Sequence, residues 1–261
     1  MDEQLHGVLL EVAYDGSAFH GWASQPRVRT VQETLFGALV AMDHRASAPR
    51  GASRTDAGVH ADAQLAAFDT SHDIPARGWV LGLNQHLPED VAVRSACAVP
   101  VGYVPRMAAR AKRYRYHVVV DPVRDPRLRQ RAWRVADLDV DAMASEGGAA
   151  VGTHDFAGFR SSADARETTV RTLSRVDVER SHDERVLSVV VEGNAFLYNM
   201  VRILVGTMVD VGRGRLAKGA VTRALQTGDR RAAGTTAPAH GLVLERVEAE
   251  LPPEAGARWP R

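Results

Sequence analysis

Residues 51–60, with the sequence GASRTDAGVH, place a carboxylate and a guanidinium inside a run of small residues. The glycines and alanines allow the backbone to turn sharply and to approach a ligand closely. Asp56 is the only carboxylate between Asp43 and Asp62, which makes it a candidate nucleophile or general base. The alternative is a surface turn, in which Asp56 caps the backbone and Arg54 forms a weak exposed ion pair.

Three later segments favour chemistry over a simple turn. They are residues 112–116 (KRYRY), 193–202 (GNAFLYNMVR) and 236–242 (TAPAHGL). In the first segment, the tyrosines either fill a core or stack on a nucleic-acid base, with the neighbouring arginines on phosphates. A phenol can also relay a proton.

Arg202 follows Met200 and Val201 on a segment predicted to be a buried helix. A buried arginine requires an anionic partner, because an unpaired buried charge is costly. Any acid in the fold would meet that need. A pairing with Asp56 would in addition keep that carboxylate ionised by lowering its pKa, and only an ionised carboxylate can attack carbon.

Composition indicates a soluble globular protein: 261 residues, 45% hydrophobic and 25% charged. Cys97 is the only cysteine, which excludes an intramolecular disulfide and a cysteine-rich metal site. The first apolar run, residues 8–10, is broken by Glu11, so we expect neither a signal peptide nor a membrane span. The predicted compartment is the cytoplasm.

The net charge of +1 argues against a uniformly basic nucleic-acid binder, but the positive charges are clustered. One cluster consists of Arg106, Arg110, Lys112, Arg113 and Arg115, and the next of Arg124, Arg127, Arg129, Arg131 and Arg134. Each cluster is either a solvated face or part of a track for phosphates.

Apolar periodicity predicts alternating strands and helices. In the first half we predict strands at 8–14, 64–70 and 91–99, and helices at 31–42 and 75–87. Thr30 and Glu33 have the spacing of a capping box for the first of these helices. Residues 45–50 give no convincing strand before the Asp56 segment.

The second half repeats this plan loosely. We predict strands at 113–120, 170–179, 186–192 and 242–250, and helices at 141–151, 196–211 and 218–227. This pattern predicts two α+β halves with a boundary near 104–110, which gives domains at 1–105 and 106–261.

The motifs, in this order and across nearly the whole chain, resemble the tRNA pseudouridine synthase A family. The family's opening Tyr-Asp-Gly and Gly-Trp correspond to residues 14–16 and 21–22, and Gln25 also fits. Its Gly-Arg-Thr-Asp-Ala-Gly-Val-His signature corresponds to residues 53–60, with Ser53 in place of glycine. Its Tyr-Arg-Tyr strand, its Asn-x-Phe-x-x-x-Met-Val-Arg helix and its late Gly-Leu correspond to residues 114–116, 194–202 and 241–242.

The resemblance implies roles for individual residues. Asp56 matches the catalytic aspartate, and Arg202 matches the arginine that pairs with it. Tyr114 matches the tyrosine that packs on the target base, and Leu242 is assigned to substrate binding. Arg54 matches the residue that helps to extrude the target uridine and fills the vacated space in the stem. Serine at position 53 alters the freedom of the turn, but it is small and we expect activity to survive.

The same resemblance implies the fold. It predicts two similar ferredoxin-like α/β-sandwich halves, whose mainly antiparallel sheets join into one central sheet with the active-site cleft between them.

The implied reaction converts uridine to pseudouridine at positions 38, 39 and 40 in the anticodon stem-loop of tRNA. It needs no cofactor and no metal, and the family implies a homodimer without membrane attachment. The N1–C1′ bond breaks, the uracil turns while held, and C5 joins C1′. Asp56 would attack C1′, add to C6, or help to remove a C2′ proton, and the residues do not choose among these routes.

Two alternatives follow from the residues alone. A non-catalytic RNA-binding module would use the same sheets but would not need Asp56. A nucleoside or glycoside hydrolase would pair Asp56 with a second carboxylate, Asp62 or Asp155. We interpret His60 and His154 as structural residues because neither belongs to a full set of metal ligands, and Phe19 and Trp22 as core residues.

Overall fold

The computed structural model describes residues 4–260, and the chain forms two compact units. The first unit comprises Met1–Arg110 with Leu244–Arg261, and the second comprises Ala111–Val243. This division differs from the predicted domains 1–105 and 106–261, because most of the last strand and the residues after it belong with the first unit.

The first unit begins with strands and helices in alternation. In chain order they are β1 (His6–Tyr14), α1 (Val31–Met42), β2 (Arg50–Gly51), β3 (His60–Thr70), α2 (Ala76–His86), β4 (Val91–Val99) and the short α3 (Pro105–Ala108). Strand β1 pairs antiparallel with both β3 and β4, and β2 adds two residues beside β3. The apolar residues of β1 are almost fully buried, which explains why this strand lies inside the sheet rather than at its edge.

The helices of the first unit pack by large side chains. Helix α2 lies against β4, and the ring of Trp79 on α2 meets Phe68 on β3 edge to face, with 5.0 Å between centroids. Both residues are fully buried, so they join the helix layer to the sheet. Phe19 and Trp22 are also buried, which confirms their interpretation as core residues.

The second unit contains the remaining helices and most of the remaining strands. They are β5 (Ala109–Val120), β6 (Trp133–Val135), α4 (Val140–Ser145), β7 (Gly152–Asp155), β8 (Val170–Arg180), β9 (Val186–Gly193), α5 (Met200–Gly212) and α6 (Ala220–Thr227). The strand order is β5-β9-β8-β7, all antiparallel, with β6 parallel beside β5. Every residue of α5 except Arg202 is buried, so this helix forms the centre of the unit's core. The predicted hairpin is the β8–β9 pair, and the predicted α+β class is confirmed.

The last strand, β10 (Leu242–Ala249), starts in the second unit and follows β3 in the strand order of the first. The chain after it lies along β4. The N–H groups of Ala96 and Trp259 each donate to the other residue's carbonyl at 2.9 Å, and the Gly256 N–H donates to the carbonyl of Ala98 at 3.0 Å. We call residues 256–259 the C-terminal edge segment. Within residues 4–260, no helix is long and apolar enough to cross a bilayer.

Three local predictions were wrong in detail. Thr30 occupies the N-cap position of α1, but its buried hydroxyl makes no hydrogen bond with the residues that the structure describes, so the capping box does not form. The helix predicted at 141–151 ends at Ser145 and is followed by a 3₁₀ turn, Gly147–Ala150. The helix predicted to begin at Phe196 begins at Met200, because Asn199 has φ 62°, which no α-helix accommodates.

Candidate active site

The loop that carries Asp56, residues 52–59, connects β2 to β3 and is fixed by backbone hydrogen bonds. Within it, the Val59 N–H donates to the Asp56 carbonyl at 3.1 Å, closing a turn in which Gly58 has φ 78°. Outside it, the Trp22 N–H donates to the Thr55 carbonyl at 3.1 Å, and the Gly58 N–H donates to the Phe19 carbonyl at 3.2 Å. The loop is therefore tied to residues 19–22 on both sides of Asp56.

Thr55 anchors the loop from beneath. It is buried, and its hydroxyl lies 2.7 Å from the phenol oxygen of Tyr14, the last residue of β1. Gly21 faces the same backbone with φ 93°, and a Cβ there would lie 2.7 Å from the Thr55 carbonyl oxygen. Only glycine fits this position, because a side chain is both strained and obstructed. The result is a half-buried Asp56 between buried Thr55 and exposed Ala57.

Ser53, the departure from the family's glycine, sits in ordinary backbone. Among the described residues, the non-glycine positions with positive φ are Arg27 and Asn199, so Ser53 does not need the freedom of glycine. Its N–H donates to Oε1 of Gln64 at 3.1 Å, and its carbonyl accepts from Nε2 of Gln64 at 2.6 Å. Gln64 is fully buried on β3, so its amide substitutes for a strand partner and fixes the loop before Asp56.

Arg54 points away from the interior. It is exposed, and its side chain makes no hydrogen bond or ion pair with any residue between 4 and 260. The exposed ion pair of the simple turn is therefore not formed, and the guanidinium remains available to a ligand.

His60 has a structural role. It is buried, and its Nδ1 accepts from the Gly16 N–H at 3.1 Å, with Oδ1 of Asp15 at 3.2 Å from the same nitrogen. Gly16 in turn leaves no room for a side chain, since a Cβ would lie 2.0 Å from the Val59 carbonyl oxygen. These contacts pack the turn after β1 against the end of the Asp56 loop.

In the second unit, Tyr114 lies on β5 opposite Val191 of β9 and is buried. Its ring meets that of Phe196 edge to face, with 5.1 Å between centroids and 85° between planes. Phe196 therefore fixes the tilt of the tyrosine ring.

The arginines beside Tyr114 are paired with acids. Nε of Arg113 lies 2.8 Å from Glu192 on the neighbouring strand β9, and Nη1 of Arg115 lies 2.7 Å from Glu179 on β8, the strand beyond β9. These cross-strand pairs show that the two arginines help to hold the sheet. The expectation that they bind phosphates is not supported by this geometry.

Tyr116 holds the 236–241 loop in place. Its phenol is fully buried and donates to the Pro238 carbonyl at 2.8 Å. Burial raises its pKa far above the ordinary range, although the charge of Arg202 opposes this, so the phenol stays protonated. Gly241 lies against the tyrosine ring, where a Cβ would be 2.6 Å from Cζ.

Arg202 lies in the first turn of α5, half-buried and held at two nitrogens. Its Nε donates to the Ala237 carbonyl at 2.8 Å, and its Nη1 donates to Oδ1 of Asn199 at 2.7 Å. The Ala237 N–H donates back to the Arg202 carbonyl at 3.0 Å. The guanidinium is therefore oriented before any substrate binds.

Asn199 is a functional candidate that the sequence patterns did not reveal, because they placed it inside a helix. An asparagine just before an arginine-bearing apolar helix is the signal that was available, since asparagine tolerates φ above zero. Leu242, the remaining predicted substrate-binding residue, is buried at the start of β10.

The structure thus brings Arg54 and Asp56 onto one loop of the first unit. In the second unit it brings Arg202 together with the 236–241 loop that Tyr116 supports. The predicted pairing of Asp56 with Arg202 joins residues of different units and stays a prediction.

The other acid and histidine candidates have structural partners. Oδ1 of Asp155 accepts from the Thr169 hydroxyl at 2.5 Å and from the Ala157 N–H at 2.9 Å, while Nε2 of His154 is 2.9 Å from the Val151 carbonyl. No group of three or more His, Cys, Asp or Glu side chains within residues 4–260 is arranged to hold a metal ion.

Comparison with known proteins gives consistent matches. The family described as tRNA pseudouridine synthase matches residues 11–104 and 149–248, which is most of the chain. A tRNA pseudouridine synthase A from Geobacter sp. (strain M21) is 45% identical over 245 residues, covering 93% of this chain and 98% of that protein. Proteins of the same name are 44% identical in Citrifermentans bemidjiense, covering 93% of this chain and 97% of that protein, and 38% identical in Acetivibrio thermocellus, covering 93% and 99%.

Proposed function

The chain belongs to the tRNA pseudouridine synthase family, and from that premise we propose that it isomerises uridine to pseudouridine at positions 38, 39 and 40 in the anticodon stem-loop of tRNA. The observation that carries the proposal is the Asp56 loop. Its carboxylate is half-buried on a backbone held by hydrogen bonds at Thr55 and Gly58, beside an exposed arginine that pairs with none of the described residues. A positioned carboxylate is the one reactive group this isomerisation requires.

We assign the roles as follows. Asp56 is the catalytic carboxylate, and Arg202 keeps it ionised by pairing with it. Tyr114 packs on the target base, and Leu242 adds an apolar contact that helps to exclude water and so retains the detached uracil.

Arg54 is assigned to the RNA stem. An enzyme that acts on a base in a helical stem must first take that base out of the stack, which costs unstacking free energy. A long, planar cation can fill the vacated space and stack on the neighbouring bases. The exposure of Arg54 and its lack of ion pairs with the described residues suit this role.

Two further properties belong to the proposal. The enzyme acts in the cytoplasm, where its substrate is made, and it works as a homodimer that contacts one tRNA with both subunits. Sedimentation at working concentration tests the second statement, and a monomer that retains full activity would contradict it.

The central experiment incubates unmodified tRNA with the parent chain and with Asp56→Ala, then maps pseudouridine in the anticodon arm. We expect the variant to bind tRNA normally and to lose isomerisation by about 10³-fold or more. Asp62→Asn, on the exposed side of β3, is the matched control and should retain activity. Pseudouridine formation by Asp56→Ala at the parent rate would overturn the catalytic assignment. Release of free uracil, with loss of activity in Asp62→Asn, would favour the hydrolase alternative.

A further inference from the structure

Arg171, the second residue of β8, is a buried cation to which the described part of the chain supplies no ion-pair partner. Its relative exposure is 9%, and it forms no ion pair with any described residue. Nη1 donates to the carbonyls of Thr168 at 3.1 Å and Val170 at 2.6 Å, while the buried Nε finds no hydrogen-bond partner among residues 4–260. A buried charge of this kind lowers the stability of the folded protein unless a bound anion balances it.

The charges around Arg171 are mostly of the same sign. Arg160 and Arg166 lie in the loop that precedes β8, and the carboxylate of Asp164 in the same loop is 3.6 Å from Nη1 of Arg166. Burial lowers the pKa of Arg171, the charge of Arg166 lowers it further, and Asp164 opposes both. We call Arg160, Arg166 and Arg171 the arginine cluster, and its three positive charges outnumber the acids of the loop.

The carboxylate of Asp164 already accepts hydrogen bonds from two backbone N–H groups. Its carboxylate accepts from the N–H groups of Tyr198 at 2.7 Å and Arg166 at 3.1 Å. Burial would raise its pKa, but these hydrogen bonds and the charges of Arg166 and Arg160 together lower it, so the group is ionised at neutral pH. Glu167, the other acid of this loop, is exposed and makes no hydrogen bond or ion pair with the described residues. The arginine cluster therefore keeps a net positive charge.

The arginine cluster is fixed to the segment that leads to Arg202. Nη1 of Arg166 donates to the Phe196 carbonyl at 2.6 Å, and the Ser161 N–H donates to the Tyr198 carbonyl at 3.1 Å. Phe196 packs on Tyr114, and the next residue after Tyr198 is the asparagine that orients Arg202. An anion bound at this loop would thus stabilise the segment that carries the candidate site.

We propose that the arginine cluster binds a backbone phosphate of the RNA substrate. The inference rests on the proposed function and adds a contact to it. Guanidinium groups present planar pairs of N–H donors that match phosphate oxygens. The exposed side chain of Arg166 contacts the phosphate first. Binding is favoured because the phosphate then balances the buried charge of Arg171.

The test measures tRNA affinity against salt concentration for the parent, Arg171→Gln, Arg166→Gln and the control Arg180→Gln, an exposed arginine at the far end of the same strand. Each lost phosphate contact should reduce the slope of log K against log salt by roughly 0.7–0.9. We expect this reduction in both cluster variants and no change in Arg180→Gln. Unchanged slopes in both cluster variants would overturn the proposal.

Thermal unfolding separates phosphate binding from a structural role. Because the free protein holds Arg171 uncompensated, Arg171→Gln should unfold at the same temperature as the parent or higher. If it unfolds at a lower temperature while tRNA binding keeps its salt slope, Arg171 is structural. Arg166→Gln keeps the test decisive if Arg171→Gln does not fold, since Arg166 is exposed.

The proposed function is checked separately. A parent chain that forms no pseudouridine in unmodified tRNA overturns the function, whereas an active parent with unchanged slopes in the variants overturns only the phosphate site. Adding inorganic phosphate at constant ionic strength distinguishes the source: if it raises the unfolding temperature of the parent while tRNA slopes are unchanged, the cluster binds free phosphate and not RNA.

Discussion

Oδ1 of Asn199 accepts a hydrogen bond from Nη1 of Arg202 at 2.7 Å, although Asn199 occupies the N-cap position of the helix that carries Arg202. An N-cap asparagine usually accepts from the backbone N–H groups of the first turn. Here φ is 62°, and the side chain makes no capping bond. The amide therefore orients the guanidinium, and it does so without cancelling its charge.

Substitutions at Asn199 separate this role from a purely structural one. Asn199→Gly keeps the left-handed backbone without strain and removes the acceptor, so we expect stability within about 1 kcal/mol of the parent. The single-turnover rate of pseudouridine formation should fall by about 10–100-fold because Arg202 loses its orientation. The single-turnover rate is measured at saturating tRNA, so that binding does not limit it.

Asn199→Asp is the complementary variant. Aspartate tolerates the same φ and keeps the acceptor, but its charge competes for Arg202. We expect a folded protein with activity reduced to a similar extent. Full activity in Asn199→Asp would show that the added charge does not compete for Arg202, whereas full activity in Asn199→Gly would show that Asn199 serves only the backbone.

Gly21→Ala should damage the Asp56 loop without touching Asp56. The new Cβ would lie 2.7 Å from the Thr55 carbonyl oxygen, at φ 93°. Strain of this kind costs about 1–3 kcal/mol, and we expect a matching loss in urea unfolding together with reduced isomerisation. The control is Gly37→Ala in α1, where a Cβ meets no atom within 4 Å. That change should stabilise the helix by about 1 kcal/mol and leave activity intact.

Ser53 should tolerate glycine, whereas Gln64 should not tolerate leucine. Ser53→Gly restores the family residue, and since the φ is ordinary, we expect a loss of at most about 1 kcal/mol from added freedom in the unfolded chain. Gln64→Leu removes both hydrogen bonds that the Gln64 amide makes with the buried backbone of Ser53, at a cost of about 2–4 kcal/mol. Chemical denaturation measures the free energy of unfolding of both variants. Equal losses would contradict the view that the Gln64 amide holds the loop through Ser53.

Asp43 predicts a pH dependence of stability. Burial raises the pKa of this carboxyl, but hydrogen bonds from the hydroxyls of Thr70 and Ser71 and from two backbone N–H groups outweigh it, and the pKa lies well below its usual range. A depressed folded-state pKa stabilises the protein above the unfolded value near pH 4, and this contribution is lost as the pH falls further.

Asp43→Asn therefore should lower the free energy of unfolding by about 2 kcal/mol at pH 7, and the difference from the parent should shrink as the pH falls below about 4. Urea unfolding at a series of pH values gives the difference curve. Asp137→Asn, an exposed aspartate, is the control and should show almost no difference at any pH. If the difference in unfolding free energy between Asp43→Asn and the parent were the same at every pH, the charge of Asp43 would not be the cause.

The strands and long helices could be predicted because their apolar periodicity is strong, and the Asp56 loop because its motif is specific. The start of α5 could not, since a positive φ at Asn199 leaves no mark in the apolar pattern. The capping box could not be judged from spacing, because Thr30 takes the N-cap position while its hydroxyl makes no capping bond, and the direction of that side chain leaves no mark in the sequence. The acid partners of Arg113 and Arg115 lie on strands that are close in the sheet but more than 60 residues away in the sequence, so the spacing of motifs along the chain does not reveal them.

The C-terminal edge segment has a consequence for how molecules of this protein meet one another. Strand β4 ends the strand order of the first unit, and Trp259 and Gly256 occupy backbone groups along its outer side. A bare strand edge is a template onto which another chain can add. A chain shortened to residue 250 would expose that template, and light scattering during refolding should reveal aggregates that the 261-residue chain does not form. We therefore expect the C-terminal edge segment to protect β4 from pairing with another copy of the chain.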